Sequence, residues 1–330
     1  MKLVSFSLPS PMGPRIRTGA LDAAGGIVDL AGAFRGALLR EGLTPGAAAR
    51  VSEALLPGDM VALIEGGDRS LDAARRALQW AAEEGLDAGP DAEGVPIVHQ
   101  AQGLHFLPPV PRPPLLRDFM GFETHLRNIY PKLGREIPPE WYKIPVYYKG
   151  NPGSLGSHGD DIPIPSYATA LDIEFELAMV IGRGGINIPP ERALDHVFGY
   201  MIYNDFSERT IQAREMSVGL GPAKGKDFVR GHVLGPYLVT ADEVPDVYDL
   251  RMVARVNDEV WCESHSGTIY WKFEQMIAHV STDEHLWPGE VLGSGTVGGG
   301  SGTERGTLLG RGDVVELEVE RLGTLRNRVI

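Results

Sequence analysis

The chain has 330 residues, 43% of them hydrophobic, and its 31 basic and 44 acidic side chains leave a formal net charge of −13. At ~150 residues per domain that length predicts about two domains with a sizeable core. The acidity argues against nucleic acid or an anionic membrane as the main partner. Cys262 is the only cysteine, which excludes an internal disulfide and a cysteine zinc site. Beside Trp261 it reads as a packed hydrophobe rather than a nucleophile. No stretch approaches the ~20 apolar residues of a membrane span. The opening MKLVSFSLPSP is too short an apolar run for a signal peptide and is broken by Pro9 and Pro11. A cytoplasmic location is expected.

In chain order, the apolar runs Leu3–Phe6 and Gly26–Leu30 read as strands, and segments near 46–56 and 69–86 read as helices. A loop with Pro90 and Pro96 follows. The stretch LPPVPRPPLL, Leu107–Leu116, then forms an extended connector, because proline fixes φ and lacks a donor. The domain boundary falls there, with residues 1–106 as the small unit and 107–330 as the larger one. In the larger unit Leu171–Ile181, Val197–Asn204 and Val314–Val319 read as strands, and helical signals are confined to roughly 121–130, 207–216 and 271–280. This mix predicts an α+β architecture with a predominantly β larger part, without regular βαβ alternation.

The strand candidate LDIEFELAMV places Asp172, Glu174 and Glu176 on one face, since alternate side chains share a face. Like charges about 6.6 Å apart repel by roughly 0.6 kcal/mol in water and roughly 2.5 kcal/mol at an effective dielectric near 20. Such a row is either a solvated polar face or a site that wants a cation. Asp205 ends the apolar run FGYMIYND, and Asp118 follows the proline connector. Convergence of these groups would give an all-oxygen site, which favours Mg²⁺, Mn²⁺ or Ca²⁺ over zinc. Arg209 stands four residues after Asp205, and Gln212 three after Arg209; on a helix the three would share a face. Arg209 could then stabilise an oxyanion, or be a surface ion pair. Lys226 alone reads as a loop lysine. His125 is either structural or, if it faces the metal, a general base.

Two near-matches fail on context. GSGTVG at 293–298 fits G-x-G-x-x-G, but Gly299, Gly300 and Gly302 follow where a dinucleotide site needs a helix. LGPAKGKD lacks the Gly and Ser/Thr of a phosphate loop. The segment 293–302 is then either a flexible glycine hairpin or a loop whose amides approach a ligand closely.

These motifs taken together resemble the fumarylacetoacetate hydrolase family over roughly 107–330. The carrying blocks are Asp118 with His125, PEWYKIPVYYKG, ALDIEFELAMVIG, FGYMIYNDFSERTIQ, GLGPAKGKDF, IYWKFEQMIAHVS, the GSGT loop at 293–296 and the tail GDVVELEVERLGTLRN. The resemblance implies a mixed β-sandwich roll as catalytic, metal-binding domain, a small N-terminal α/β domain, and a homodimer. It assigns Asp118, Glu174, Glu176 and Asp205 as ligands to one divalent cation, Mg²⁺ first with Mn²⁺ or Ca²⁺ as alternatives. Asp172 is left as a strand-face residue outside that set. His125 becomes the base that activates water, and Glu304 the group that orients it. Arg209, Gln212 and Lys226 polarise the attacked carbonyl, and Tyr148 and Thr296 contact the substrate.

The implied reaction is hydrolytic cleavage of a carbon–carbon bond in a small diketo acid such as an acylpyruvate. A lyase or isomerase acting on a 2-oxo acid is the alternative on the same scaffold, and a non-catalytic metal-binding protein a third. Met120 departs from the tyrosine of the animal hydrolases, and residues 299–303 are smaller and more polar than a pocket wall of the family. Asn128 follows the hydrolase pattern, where a glutamate would mark the short decarboxylase-type members.

Overall fold

A computed structural model describes residues 1–84 and 95–330. The end of the expected 69–86 helix and Pro90 lie outside the described residues. The chain forms two compact units, Met1–Pro111 and Arg112–Ile330.

The first unit carries strands β1 (Lys2–Leu8), β2 (Arg15–Leu21), β3 (Gly26–Asp29), β4 (Val98–Gln100) and β5 (His105–Leu107). They pair antiparallel in the order β4-β3-β2-β1, with β5 also on β1. Its helices are α1 (Leu30–Arg40), α2 (Pro45–Leu55), α3 (Met60–Glu65) and α4 (Gly67–Glu84). Asp29 ends β3 and caps α1, its Oδ1 accepting from Gly32 N at 3.2 Å, which satisfies a donor that the first turn leaves open. In α4 the buried positions Ala73, Ala74, Ala77, Trp80 and Ala81 recur at three- and four-residue spacing, so one stripe faces α1.

The second unit holds two main sheets, a separate two-stranded ladder, and no closed barrel. Its strands are β6 (Leu116–Phe119), β7 (Tyr147–Gly150), β8 (Leu155–Ser157), β9 (Asp161–Ile162), β10 (Leu171–Asp172), β11 (Phe175–Ile181), β12 (Val197–Asp205), β13 (Ser207–Glu208), β14 (His232–Thr240), β15 (Arg251–Val256), β16 (Glu259–His265), β17 (Val291–Gly293), β18 (Val314–Val319) and β19 (Gly323–Val329). One sheet runs β14-β12-β11-β17-β6-β7 with β8 on β14; the other runs β16-β15-β18-β19-β9, and β10 and β13 form the ladder. Helices α5 (Glu123–Ile129), α6 (Arg209–Ser217) and α7 (Phe273–Ser281) fall where the sequence placed helices, and α8 (Gly302–Arg305) is one short turn. The core between the sheets is built by alternation. Phe175, Leu177, Met179 and Ile181 of β11 join Tyr200 and Ile202 of β12 and face Val315, Leu317 and Val319 of β18. Among the described residues no helix is long and apolar enough to cross a membrane.

The expected single strand over Leu171–Ile181 is two strands. Leu171 and Asp172 pair with Glu208 and Ser207 of β13, and pairing with β12 begins only at Phe175 opposite Asn204. The Asp172 carboxylate takes the N–H of Ile173 at 2.8 Å, a donor that a continuous ladder would need. Asp172 and Glu174 are therefore not successive residues on one strand face. The segment after β17 is also no flexible hairpin: residues 293–297 are buried and run along the start of β11, with Ser294 N on Leu177 O at 2.8 Å and Val297 N on Phe175 O at 2.9 Å.

Candidate active site

With Phe175 and Leu177 facing the core, Glu176 points to the other face of β11, opposite Tyr203. Two residues on from Tyr203, Asp205 ends β12 on that same face. On β6, Phe119 faces the core and Asp118 points away, opposite Tyr148 of β7. Between β11 and β6 lies β17, with Gly293 beside Asp118. Strands two apart are separated by roughly 10 Å, so carboxylates from β11 and β6 must lean across Gly293 to meet. A Cβ at that glycine would stand 2.5 Å from Asp118 Oδ1 and 2.8 Å from the Tyr203 ring. Glu174 joins from the break between β10 and β11. Ligand oxygens of Asp118, Glu174, Glu176 and Asp205 then lie within 4.8 Å of one another, all buried.

The charges divide unevenly. Burial pushes the Asp118 carboxyl well above the usual range and Asp205 adds to it, while burial and then Asp118 do the same to Glu176. Burial acts in the same direction on Glu174 and Asp205 and is the largest single influence, but Lys226 together with Arg209 at Glu174, and Lys226 together with His232 at Asp205, more than offset it, and both carboxyls are held below the ordinary value. Asp118 Oδ1 and Asp205 Oδ1 are buried acceptors with no aligned hydrogen-bond donor among the described residues, although His232 Nδ1 lies 3.0 Å from Asp205 Oδ1. Orphaned carboxylate oxygens in a dense all-oxygen set fit a hard divalent cation such as Mg²⁺, Mn²⁺ or Ca²⁺.

His125 and Asn128 lie one turn apart on α5 and reach one carboxylate. His125 Nδ1 is 2.6 Å from Glu304 Oε1, and Asn128 Nδ2 donates to Oε2 at 2.6 Å. Glu304 occupies α8, capped by Ser301, whose Oγ accepts from Glu304 N at 3.3 Å, and the backbone N of Gly299 adds a donor to Oε2 at 2.7 Å. Burial opposes the charge on Glu304, yet these donors, His125 first, hold it below its ordinary value. An ionised Glu304 only accepts, so Nδ1 carries the proton, and in the neutral ring the lone pair is then on Nε2.

Glu208, not Asp205, starts the helix that follows β12. Its carboxylate accepts from Ile211 N at 2.7 Å and from Thr169 N and Ala170 N at 2.9 Å each, which sets Arg209 at the first helical position. Asp205 thus shares no helix face with Arg209. Arg209 is not a surface ion pair either: it donates through Nε to Asp172 Oδ2 at 2.9 Å and through Nη1 to Glu174 Oε1 at 2.5 Å and Gln212 Oε1 at 3.0 Å. Lys226 lies in a turn as expected, but it is buried, 1% exposed, and bridges Glu174 Oε2 and Asp205 Oδ2 at 2.5 Å each. Tyr148 donates to Asp205 Oδ2 at 2.6 Å, and Thr296 Oγ1 to Glu176 Oε1 at 3.4 Å. Gly295, at φ +82, gives its N–H to Glu176 Oε2 at 2.9 Å. Of the two readings of the glycine segment, the close amide approach is the one realised, toward a carboxylate.

One cavity of about 240 Å³ collects Asp118, Glu174, Glu176, His125, Arg209, Gln212, Lys226, Tyr148 and Thr296 along its wall. The rest of the lining is largely apolar and includes Met120, Phe122, Leu126, Ile129, Leu133 and Met216, with Arg135 also present.

Sequence reasoning missed the roles of three residues, Asp172, His232 and Asp227. Asp172 is fully buried and accepts from Arg209, Gly302 N at 2.7 Å, Thr303 N at 3.0 Å and Thr303 Oγ1 at 2.6 Å, so it ties α6 to α8. His232, 0% exposed, sits between Asp205 and Asp227; burial opposes its charge, but the two carboxylates raise it to about 9. A histidine opening the apolar run HVLGPYLV was the available signal for His232.

The fold and the site define a mixed α/β protein with an oxygen-lined centre able to hold a divalent cation beside a small-molecule cavity. Residues 115–330 match the family model for the fumarylacetoacetate (FAA) hydrolase C-terminal domain. An oxaloacetate tautomerase of Bos taurus, named as mitochondrial, is 30% identical over 335 residues, covering 100% of this chain and 92% of its own. Fumarylacetoacetate hydrolase from the psychrophile Exiguobacterium antarcticum shares the fold at TM-score 0.68, with 23% identity and 99% of each chain covered. Fumarylpyruvate hydrolase from Pseudomonas aeruginosa, solved with Mn²⁺ and pyruvate, aligns at TM-score 0.58 and 22% identity over 70% of this chain and 93% of its own. The chain belongs to the fumarylacetoacetate hydrolase family, an enzyme family whose named members include hydrolases, isomerases and a tautomerase.

Proposed function

We propose that this chain is a divalent-cation-dependent hydrolase that cleaves a carbon–carbon bond in a small diketo acid of the acylpyruvate type. The observation that carries this reading is the 2.6 Å His125–Glu304 pair, which leaves Nε2 as a base in the cavity that holds the carboxylate cluster. Asp118, Glu174, Glu176 and Asp205 would hold the cation. When bound, it supplies a chelating partner for the two carbonyl oxygens and stabilises an enolate. His125 Nε2 takes a proton from water, and Glu304 steadies the resulting imidazolium. The hydroxide adds to the acyl carbonyl, whose developing charge meets Arg209, Gln212 and Lys226. The bond between that carbonyl carbon and its α-carbon breaks, the electron pair stays on the α-carbon, and imidazolium returns the proton there. One water is consumed and two acids leave. The apolar wall formed by Phe122, Leu126, Ile129 and Met216 suits a hydrocarbon acyl arm.

A second reading is favoured by the tautomerase relative, which aligns with the whole chain at 30% identity. In it the same His125 moves a proton between carbon and oxygen of a 2-oxo acid without cleavage. Acylpyruvates and oxaloacetate incubated in ¹⁸O water with Mg²⁺ separate the two. The hydrolase reading expects ¹⁸O in the carboxylate product of an acylpyruvate. Rapid enol–keto exchange of oxaloacetate with no cleaved product from any acylpyruvate would replace it with the tautomerase.

A further inference from the structure

We propose that His232 is a positioning residue for the cation ligand Asp205, and that with Asp227 behind it this imidazole sets how tightly the carboxylate centre holds its ion. The inference rests on the reading of that cluster as a metal centre. Asp205 and His232 are register partners on β12 and β14, so the two side chains are neighbours by construction. His232 Nδ1 lies 3.0 Å from Asp205 Oδ1 and 2.8 Å from the Tyr203 hydroxyl. The other nitrogen, Nε2, lies 2.9 Å from Asp227 Oδ1, which also accepts from Asn151 N at 2.9 Å. The ring is thereby gripped at both nitrogens. Space is kept for it as well, since a Cβ on Gly150 would stand 3.2 Å from Cε1 and Nε2.

Asp205 needs such a support. Its Oδ2 is drawn to Lys226 and Tyr148, while Oδ1 has no aligned donor. The imidazole at 3.0 Å limits where that free oxygen can turn. Groups that orient a ligating carboxylate typically account for about 10–100-fold in metal affinity.

The test is calorimetric titration of the chelator-treated full-length chain with Mn²⁺ alone, beside the melting temperature of each metal-free protein. His232→Gln is expected to bind Mn²⁺ about 10–100-fold more weakly. Asp227→Ala falls toward the lower end of that range, and Asp227→Asn, which keeps an oxygen acceptor for Nε2–H, retains more affinity than Asp227→Ala. If His232→Gln does not fold, the partly exposed Asp227 carries the test through its two variants. Wild-type affinity in folded His232→Gln, or in both Asp227 variants, overturns the positioning role. Absence of Mn²⁺ binding by the wild-type chain overturns the metal-centre reading beneath it.

Discussion

Glu304 decides which nitrogen of His125 is free. Held by Asn128, Gly299 N and the Ser301 cap, its carboxylate meets Nδ1 and leaves Nε2 to the cavity. Removing a general base costs about 10²–10⁴-fold in rate. His125→Ala is therefore expected to lower kcat by that order while its Mn²⁺ affinity matches wild type, measured by steady-state kinetics and calorimetry on one preparation. Full activity in that variant contradicts the role of His125. The pairing was partly legible. Ser301 and Glu304 have the S-x-x-E spacing of a capping box, which places Glu304 in a helical first turn, but spacing cannot reveal that its carboxylate turns to a residue 179 positions away. The family resemblance supplied that partner. Lys226 was illegible alone, because a glycine turn in sequence says nothing about burial.

The elements explain why the carboxylates converge. β17 contributes Gly293 between the strands of Glu176 and Asp118, and any side chain there occupies the space where they meet. Gly293→Ala should cost about 1–3 kcal/mol through overpacking and weaken divalent-cation binding, read by urea denaturation and by calorimetry. A variant with native stability and affinity would show that the carboxylates have room to spare. Asp172, at the break between β10 and β11, joins the Arg209 helix to the Glu304 turn. Truncating it leaves Arg209 without one of its two carboxylates and strands the donors of Gly302 and Thr303. Asp172→Ala is expected to destabilise by about 3–5 kcal/mol, and a loss under 1 kcal/mol in the same denaturation assay would count against that tie. The helices α5, α6 and α7 and the strand β12 were visible as periodic or apolar runs. The break after Asp172 was not, since alternation reads straight through it and only the Asp172–Ile173 N–H bond interrupts the ladder. Helices α1 and α3 carried weak signals: α1 holds Gly32 and Gly36, and α3 spans six residues.

For the molecule as a whole, four buried carboxylates link stability to pH and to metal. Between the ordinary carboxylate value near ~4 and their raised values, Asp118 and Glu176 hold more protons in the native state than in the unfolded chain. Stability of the metal-free protein should then fall as pH rises through that interval. His232, raised to about 9, contributes stability that is full below its ordinary value near ~6.5 and is lost as pH rises from there toward about 9, which adds to the decline. A bound cation favours the ionised carboxylates, so excess Mg²⁺ should flatten the decline and add about 2.7 kcal/mol at 100 times its Kd. Urea midpoints at pH 5 to 8, with Mg²⁺ and with chelator, check both signs; parallel curves in the two conditions would contradict the linkage. The acidity of the chain made a cation partner plausible from composition, but the division into two balanced and two raised carboxylates depends on Lys226, Arg209 and His232, whose positions only the fold supplies.

The most direct test is calorimetric titration of the chelator-treated chain with Mg²⁺, repeated on Glu176→Ala. The account predicts one ion per chain in the wild type, with proton release that grows as pH falls, and loss of binding in the variant. No binding in the wild type, or equal binding by Glu176→Ala, would contradict it.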